Sequence, residues 1–141
     1  MTKNEPLFKN EIAFKKHLVQ KMRDAGYMVT PIQSRTVPGI PDLFVAGRGL
    51  QRWVEVKHSS ARYAGGRRKA YKVDFRPGQQ AWAHTYHKAT GNCVYVVVAF
   101  ADAVCLLDCG NEVYENGMVP EEQLSYRPGD RLPGLEGVNL C

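Results

Sequence analysis

The sequence predicts an α/β protein in which one mixed β-sheet lies between helices. Three observations carry that expectation. Two stretches, one near the N-terminus and one around Trp82, space their apolar residues as a helix does. Three short strand-like runs follow the first of them in quick succession, as in an antiparallel meander. A later run, Val94-Tyr95-Val96-Val97-Val98-Ala99-Phe100, is apolar almost throughout, the pattern of a strand covered on both faces. The resulting order is α-β-β-β-α-β-β.

The first helix is expected from Phe8, with Phe8, Ile12, Leu18, Val19, Met22 and Ala25 on one stripe. Thr2 and Glu5 have capping-box spacing, Pro6 suits a first turn, and Gly26 suits the end. Glu11 interrupts the stripe. It stands one heptad before Leu18, about 20° away around the axis, and a carboxylate facing a core needs a reason.

Tyr27 to Ile32 reads as a strand, followed by the turn Val37-Pro38-Gly39-Ile40-Pro41. Asp42 to Ala46 is a second strand, Gly47-Arg48-Gly49 a hairpin turn, and Arg52 to Lys57 a third strand. Residues 58–76 form a long basic loop, with Val73-Asp74-Phe75 as a short strand at its end. Pro77 to Thr90 reads as the second helix, closed by Gly91, with Gln79, Trp82, Tyr86 and Ala89 on one face. Ala103 to Leu107 is the last strand. From Asp108, Gly, Pro, Asn and acidic residues dominate, which suggests surface loops or partial disorder. The expected division is a domain over residues 1–107 and an acidic extension over 108–141.

At 141 residues the chain is long enough for one core without covalent staples. Its richest apolar stretch, Val94 to Leu107, is interrupted by Asp102 and is too short for a membrane span. The polar N-terminus shows no secretory signal pattern, so the cytoplasm is the expected compartment. Cys93, Cys105, Cys109 and Cys141 are too irregularly spaced for a disulfide framework and read as reduced thiols. Charge is uneven. Residues 1–107 hold 17 Lys and Arg against 7 Asp and Glu; residues 108–141 hold 2 against 7. A basic body points to a polyanionic partner, although a solvated basic surface would look the same.

The chemistry is concentrated at Asp42, Glu55 and Lys57. Glu55 and Lys57 are two apart on one strand and project from the same face, while Val54 and Val56 project from the other. Asp42 opens the neighbouring strand, so it can converge with Glu55 at the end of the sheet. Two carboxylates held together repel and favour a cation. A hard divalent ion suits carboxylate and carbonyl oxygens, polarises a phosphate and acidifies water. Lys57 could orient that water or neutralise developing charge. Glu11 and Gln79, both polar on core-facing stripes near helix starts, fit a cleft where the two helices begin. A surface Glu–Lys pair beside a turn-capping Asp42 is the plainer alternative. His84 and His87 lack further ligands at zinc spacing.

Pro41-Asp42 followed by Glu55-Val56-Lys57 resembles the PD-(D/E)xK nuclease signature. More narrowly, Pro38-Gly39-Ile40-Pro41-Asp42-Leu43, Trp53-Val54-Glu55-Val56-Lys57 and Arg76-Pro77-Gly78-Gln79-Gln80-Ala81-Trp82 are similar to a stand-alone virus-type VRR-NUC domain. The resemblance covers residues 8–107. It implies a restriction-endonuclease-like fold and a Mg²⁺- or Mn²⁺-dependent endonuclease that hydrolyses DNA phosphodiesters. It further implies that Asp42, Glu55 and the Val56 carbonyl hold the ion, that Lys57 assists the nucleophile, that Glu11 binds a water or second ion, and that Gln79 positions the site. Small virus-type members resemble junction resolvases, so the implied partner is branched DNA, the implied assembly a homodimer, and the implied setting a bacterial or phage-infected cell.

The basic loop suits that reading. Arg62, Arg67, Arg68, Lys69, Lys72 and Arg76 can hold phosphates, and Tyr63 and Tyr71 between them can stack on exposed bases. Two other readings compete. A non-catalytic nucleic-acid-binding module would have no use for the Asp42, Glu55 and Lys57 set. A sequence-specific restriction-type endonuclease would need a base-reading element that nothing here marks.

Overall fold

The computed structural model describes residues 5–33, 36–107, 117–126, 135, 137 and 138. In chain order the elements are α1 (Glu11–Asp24), β1 (Met28–Pro31), β2 (Leu43–Gly47), β3 (Leu50–His58), β4 (Ala70–Lys72), α2 (Gln79–Thr90), β5 (Tyr95–Ala99), β6 (Val104–Leu107), β7 (Met118–Pro120) and β8 (Leu124–Tyr126). Single 3₁₀ turns lie at Ala64–Gly66 and Glu121–Gln123. The main sheet has the order β1-β2-β3-β5-β6-β8, and β4 pairs with β7 in a separate ribbon. Among the described residues, β3 and β5 form the one parallel pair of the main sheet. The mixed α/β architecture is as the sequence indicates.

The strand β5 explains how the core divides. Val97 and Ala99 face a cluster with Phe14, Leu18 and Met22 of α1, whereas Val96 and Val98 face a second cluster with Tyr71, Phe100 and Val119. Alternation along a strand thus feeds two cores from one continuous apolar run. On β3 the same alternation sends Val54 and Val56 into the α1 cluster. Glu55 and Lys57 go to the opposite face, where they are nonetheless 3% and 4% exposed. Burying ionisable groups of this kind is costly unless they are partnered, which makes the position a candidate site.

Several local expectations are corrected. The first helix starts at Glu11 rather than Phe8, because Asn10 caps it by accepting a 2.9 Å hydrogen bond from the Ala13 N–H. Upstream, the Leu7 N–H donates to the Ala101 carbonyl at 2.9 Å, which ties that segment down outside the helix. Thr2 of the expected capping box lies outside the described residues. Ile12 is 78% exposed rather than core-facing. The buried stripe is Phe14, Leu18 and Met22, and Ile12 is two positions, about 200°, away from Phe14. The strand near the end of the basic loop is Ala70–Lys72, not Val73–Phe75. The second helix starts at Gln79, two residues after Pro77.

The C-terminal segment also joins the fold. β8 extends the main sheet through Cys105, Leu106 and Leu107 of β6, and β7 pairs with β4 of the basic loop. Leu135 and Val138 are buried in the α1 cluster. Cys93 is disulfide-bonded, which corrects the expectation of four reduced thiols. Cys105 is a free buried thiol, pushed up to about 12 by burial and by the neighbouring Asp102 charge. Among the described residues, no helix is long and apolar enough to cross a membrane.

Candidate active site

The site forms where β2, β3 and the start of α2 meet. The register pairs Leu43 with Val54, so Asp42 and Glu55 stand just beyond the last paired residues of the two strands. The Asp42 carboxylate caps the widening gap: its Oδ2 accepts a 2.9 Å hydrogen bond from the Val56 N–H. A strand residue projects its N–H and C=O to the same edge. The Val56 carbonyl therefore lies on Asp42's side of β3.

The turn that delivers Asp42 is locked to α2. Gly39 has φ +85°, and a Cβ there would stand 2.1 Å from the Gly78 carbonyl oxygen. Gly78, at φ +87°, lies against Pro38 in turn. Both positions require a left-handed backbone and the closest approach, which only glycine supplies. This contact sets Asp42 relative to Gln79.

Gln79 joins the two halves of the site. Its Oε1 accepts hydrogen bonds from Lys57 Nζ at 2.6 Å and from the Arg76 N–H at 2.7 Å. Lys57 Nζ also lies 5.3 Å from the Phe75 ring centroid. Burial pulls the Lys57 ammonium below its ordinary range, against the opposing pull of the Glu55, Glu11 and Asp42 charges.

The two carboxyl groups pull each other's proton affinities apart. Burial, the hydrogen bond to Asp42 and the Asp42 charge push Glu55 up to about 9. Burial would also raise Asp42, but the hydrogen bond from Glu55, the Val56 N–H and the charges of Lys15 and Lys57 hold it below its ordinary value. Glu55 is thus the protonated partner and Asp42 the charged one. Glu55 Oε1 is buried without a hydrogen-bond partner. Two acids, an unsatisfied carboxyl oxygen and a carbonyl on the same edge make a donor set that fits a hard divalent cation.

Glu11 and Arg76 sit further out. Arg76 donates to Glu11 Oε2 at 3.3 Å, and both line a 600 Å³ cleft with Lys15, Asp42 and Gln79. Among the described residues no group of three or more His, Cys, Asp and Glu forms a metal cluster. Lys15 was not singled out by sequence, yet its Nζ lies 3.6 Å from Asp42 Oδ1. Its spacing, one helical turn after Glu11, is the signal that marks it.

The basic loop divides. Arg62, Arg67, Arg68, Lys69, Lys72 and Arg76 are exposed, as phosphate contacts require. Tyr63 and Tyr71 are 5% and 1% exposed and stack on each other at 5.3 Å. Their expected role as base-stacking platforms is corrected: the β4–β7 ribbon and Phe100 enclose them, and they form the second core.

The sequence matches no family model, and no curated protein matches it. Among solved structures the chain is similar to Archaeoglobus fulgidus Hjc, a Holliday junction resolvase from an archaeal hyperthermophile. The TM-score is 0.55 over 77% of this chain and 87% of that one, at 16% identity. At that identity the likeness speaks to architecture, and this chain has the restriction-endonuclease-like α/β fold.

Proposed function

We propose that this chain is a divalent-metal-dependent, structure-selective DNA endonuclease that hydrolyses phosphodiester bonds in branched DNA, of the virus-type VRR-NUC kind. The half-buried Asp42 carboxylate beside buried Glu55 and Lys57 is the observation that carries the reading. The fold shared with a Holliday junction resolvase supports it.

In this reading Asp42, Glu55 and the Val56 carbonyl would hold Mg²⁺ or Mn²⁺, which would supply positive charge to the scissile phosphate and acidify water. Lys57 Nζ, held by Gln79, would offset the negative charge that develops as water's oxygen bonds to phosphorus and the P–O bond breaks, water giving up a proton to solvent and the leaving oxygen taking one up. Gln79 is a positioning residue, since it touches Lys57 and the Arg76 backbone. Arg76 and Lys15, on the cleft wall, bind flanking phosphates, and the exposed cations of residues 62–72 extend that contact.

Cleavage of a labelled four-way junction against a linear duplex of matched sequence tests the substrate claim. Cuts near the branch point with Mg²⁺ or Mn²⁺, and none with chelator, are expected. Equal cutting of both substrates would remove the branched-DNA preference and leave the hydrolase.

A homodimer is part of the same reading. Trp82, Tyr86 and Ala89 of α2 line an open apolar groove of 450 Å³ with Pro38, the surface available to a second copy.

A further inference from the structure

The basic loop adopts one specific shape, and a single carboxylate outside it accounts for that shape. Asp102 lies in the turn between β5 and β6. Its Oδ1 accepts a 2.6 Å hydrogen bond from the Tyr63 N–H, and its Oδ2 accepts one of 3.0 Å from the Ala64 N–H. Tyr63 is right-handed helical, at φ −69° and ψ −37°, and Ala64 has φ +55°. Successive N–H groups in that right-then-left sequence form a concave anion nest. A side chain at positive φ is strained, and it persists only where the surroundings demand it. Here the demand is the Asp102 carboxylate, which fills the nest and leaves Ala64 no relaxed alternative.

The rest of the loop is built on this anchor. The Tyr71 hydroxyl donates to the Tyr63 carbonyl at 2.8 Å and accepts from the Arg68 N–H at 3.3 Å. Arg62 NH2 lies 3.8 Å from Asp102 Oδ2. The Ala101 N–H donates to the Ala61 carbonyl at 2.9 Å. The nest thus fixes the segment from which Arg62, Arg67 and Arg68 project into solvent.

We propose that Asp102 is a positioning residue for nucleic-acid binding: by filling the nest at Tyr63 and Ala64 it holds the basic loop as a preorganised rail for the DNA backbone. The inference rests on the nuclease reading. An acidic residue near a DNA surface would ordinarily weaken binding through repulsion. Here it strengthens binding, because fixing the loop beforehand removes the ordering cost that binding would otherwise bear.

A double-mutant cycle on the full chain tests this, with a labelled four-way junction bound in chelator across a salt series. Asp102→Ala is expected to weaken binding about tenfold, the size of coupling found within one hydrogen-bonded network. It should flatten the salt dependence and, in parallel cleavage assays with Mg²⁺, raise KM and leave kcat unchanged. Asp102→Asn, which keeps one acceptor, should fall between. The joint substitution Arg67→Ala with Arg68→Ala should weaken binding strongly in the native background and much less when Asp102 is Ala. Strict additivity, or unchanged or tighter binding by the Asp102→Ala protein, would overturn the positioning role. If the two arginine substitutions leave binding unchanged in the native background, the loop's contact with DNA fails, and the Asp102 role fails with it. Metal-dependent cleavage persisting in that case would leave the nuclease reading standing.

Discussion

Gln79 Oε1 accepts a 2.6 Å hydrogen bond from Lys57 Nζ, deep between α2 and the main sheet. The same oxygen accepts from the Arg76 N–H at 2.7 Å, so one side-chain atom ties β3 to the loop that returns from it. Gln79→Ala should leave a buried ammonium without its acceptor. The cost should be about 1–3 kcal/mol of stability, with a fall in kcat larger than the change in KM. Urea unfolding and steady-state cleavage check both. An unchanged kcat would remove Gln79 from the site.

The raised Glu55 gives the metal-free protein a distinctive pH response. Below the ordinary value of 4.5 both folded and unfolded chains carry the proton. Between 4.5 and about 9 the unfolded chain gives it up while the folded chain keeps it. The folded state then binds more protons, so this group's contribution to stability falls as pH rises through that window. Glu55→Gln should abolish the slope and, near pH 8, stabilise the metal-free protein by on the order of 2 kcal/mol while eliminating cleavage. Urea midpoints measured across the window, with and without Mg²⁺, provide the check. A native slope identical to that of Glu55→Gln would contradict the raised Glu55.

Gly39 and Gly49 allow a matched comparison. Both have positive φ, at +85° and +77°, but only Gly39 would drive a Cβ into another segment. Gly49→Ala should cost about 1 kcal/mol from backbone strain alone. Gly39→Ala should cost about 3 kcal/mol or more, through overpacking added to that strain. It should also misplace Asp42 and slow cleavage. Equal costs in urea unfolding would show that the Pro38–Gly39 turn does not rest on Gly78.

The α2 groove makes the assembly testable. Trp82→Arg is expected to convert a dimer to a monomer in sedimentation equilibrium, since a charge there would be buried unpaired between copies. A native chain that sediments as a monomer at all concentrations contradicts the dimer.

Much of the site was legible because its signals are local. Strand periodicity placed Glu55 and Lys57 on one face, and the helical stripe put Gln79 where a polar residue had to be explained. The features that escaped depend on distant partners. Helix α1 begins at Glu11, capped by Asn10, and the segment before it is held by the Leu7 N–H on Ala101, a contact with a distant partner. Tyr63 and Tyr71 sit among cations and read as exposed, yet the pairing of Ala70–Lys72 with Met118–Pro120 closes over them. Three-residue strands such as β7 and β8 are too short to show a period, so the acidic segment read as loops. Asp102 reads as a break in an apolar stretch, and its nest depends on a distant backbone and on a conformation at Ala64 that alanine does not favour.

The central claim is that Asp42 and Glu55 form a metal-dependent phosphodiester-cleaving centre. The most direct measurement compares native protein with Asp42→Ala on a labelled four-way junction, with cleavage and binding followed side by side in Mg²⁺, Mn²⁺ and chelator. The account predicts cutting by the native protein only when metal is present, and no cutting by Asp42→Ala, which still binds the junction. Cleavage that survives chelator or the Asp42→Ala change, or tight binding by the native protein with no cleavage under any divalent ion, would contradict it.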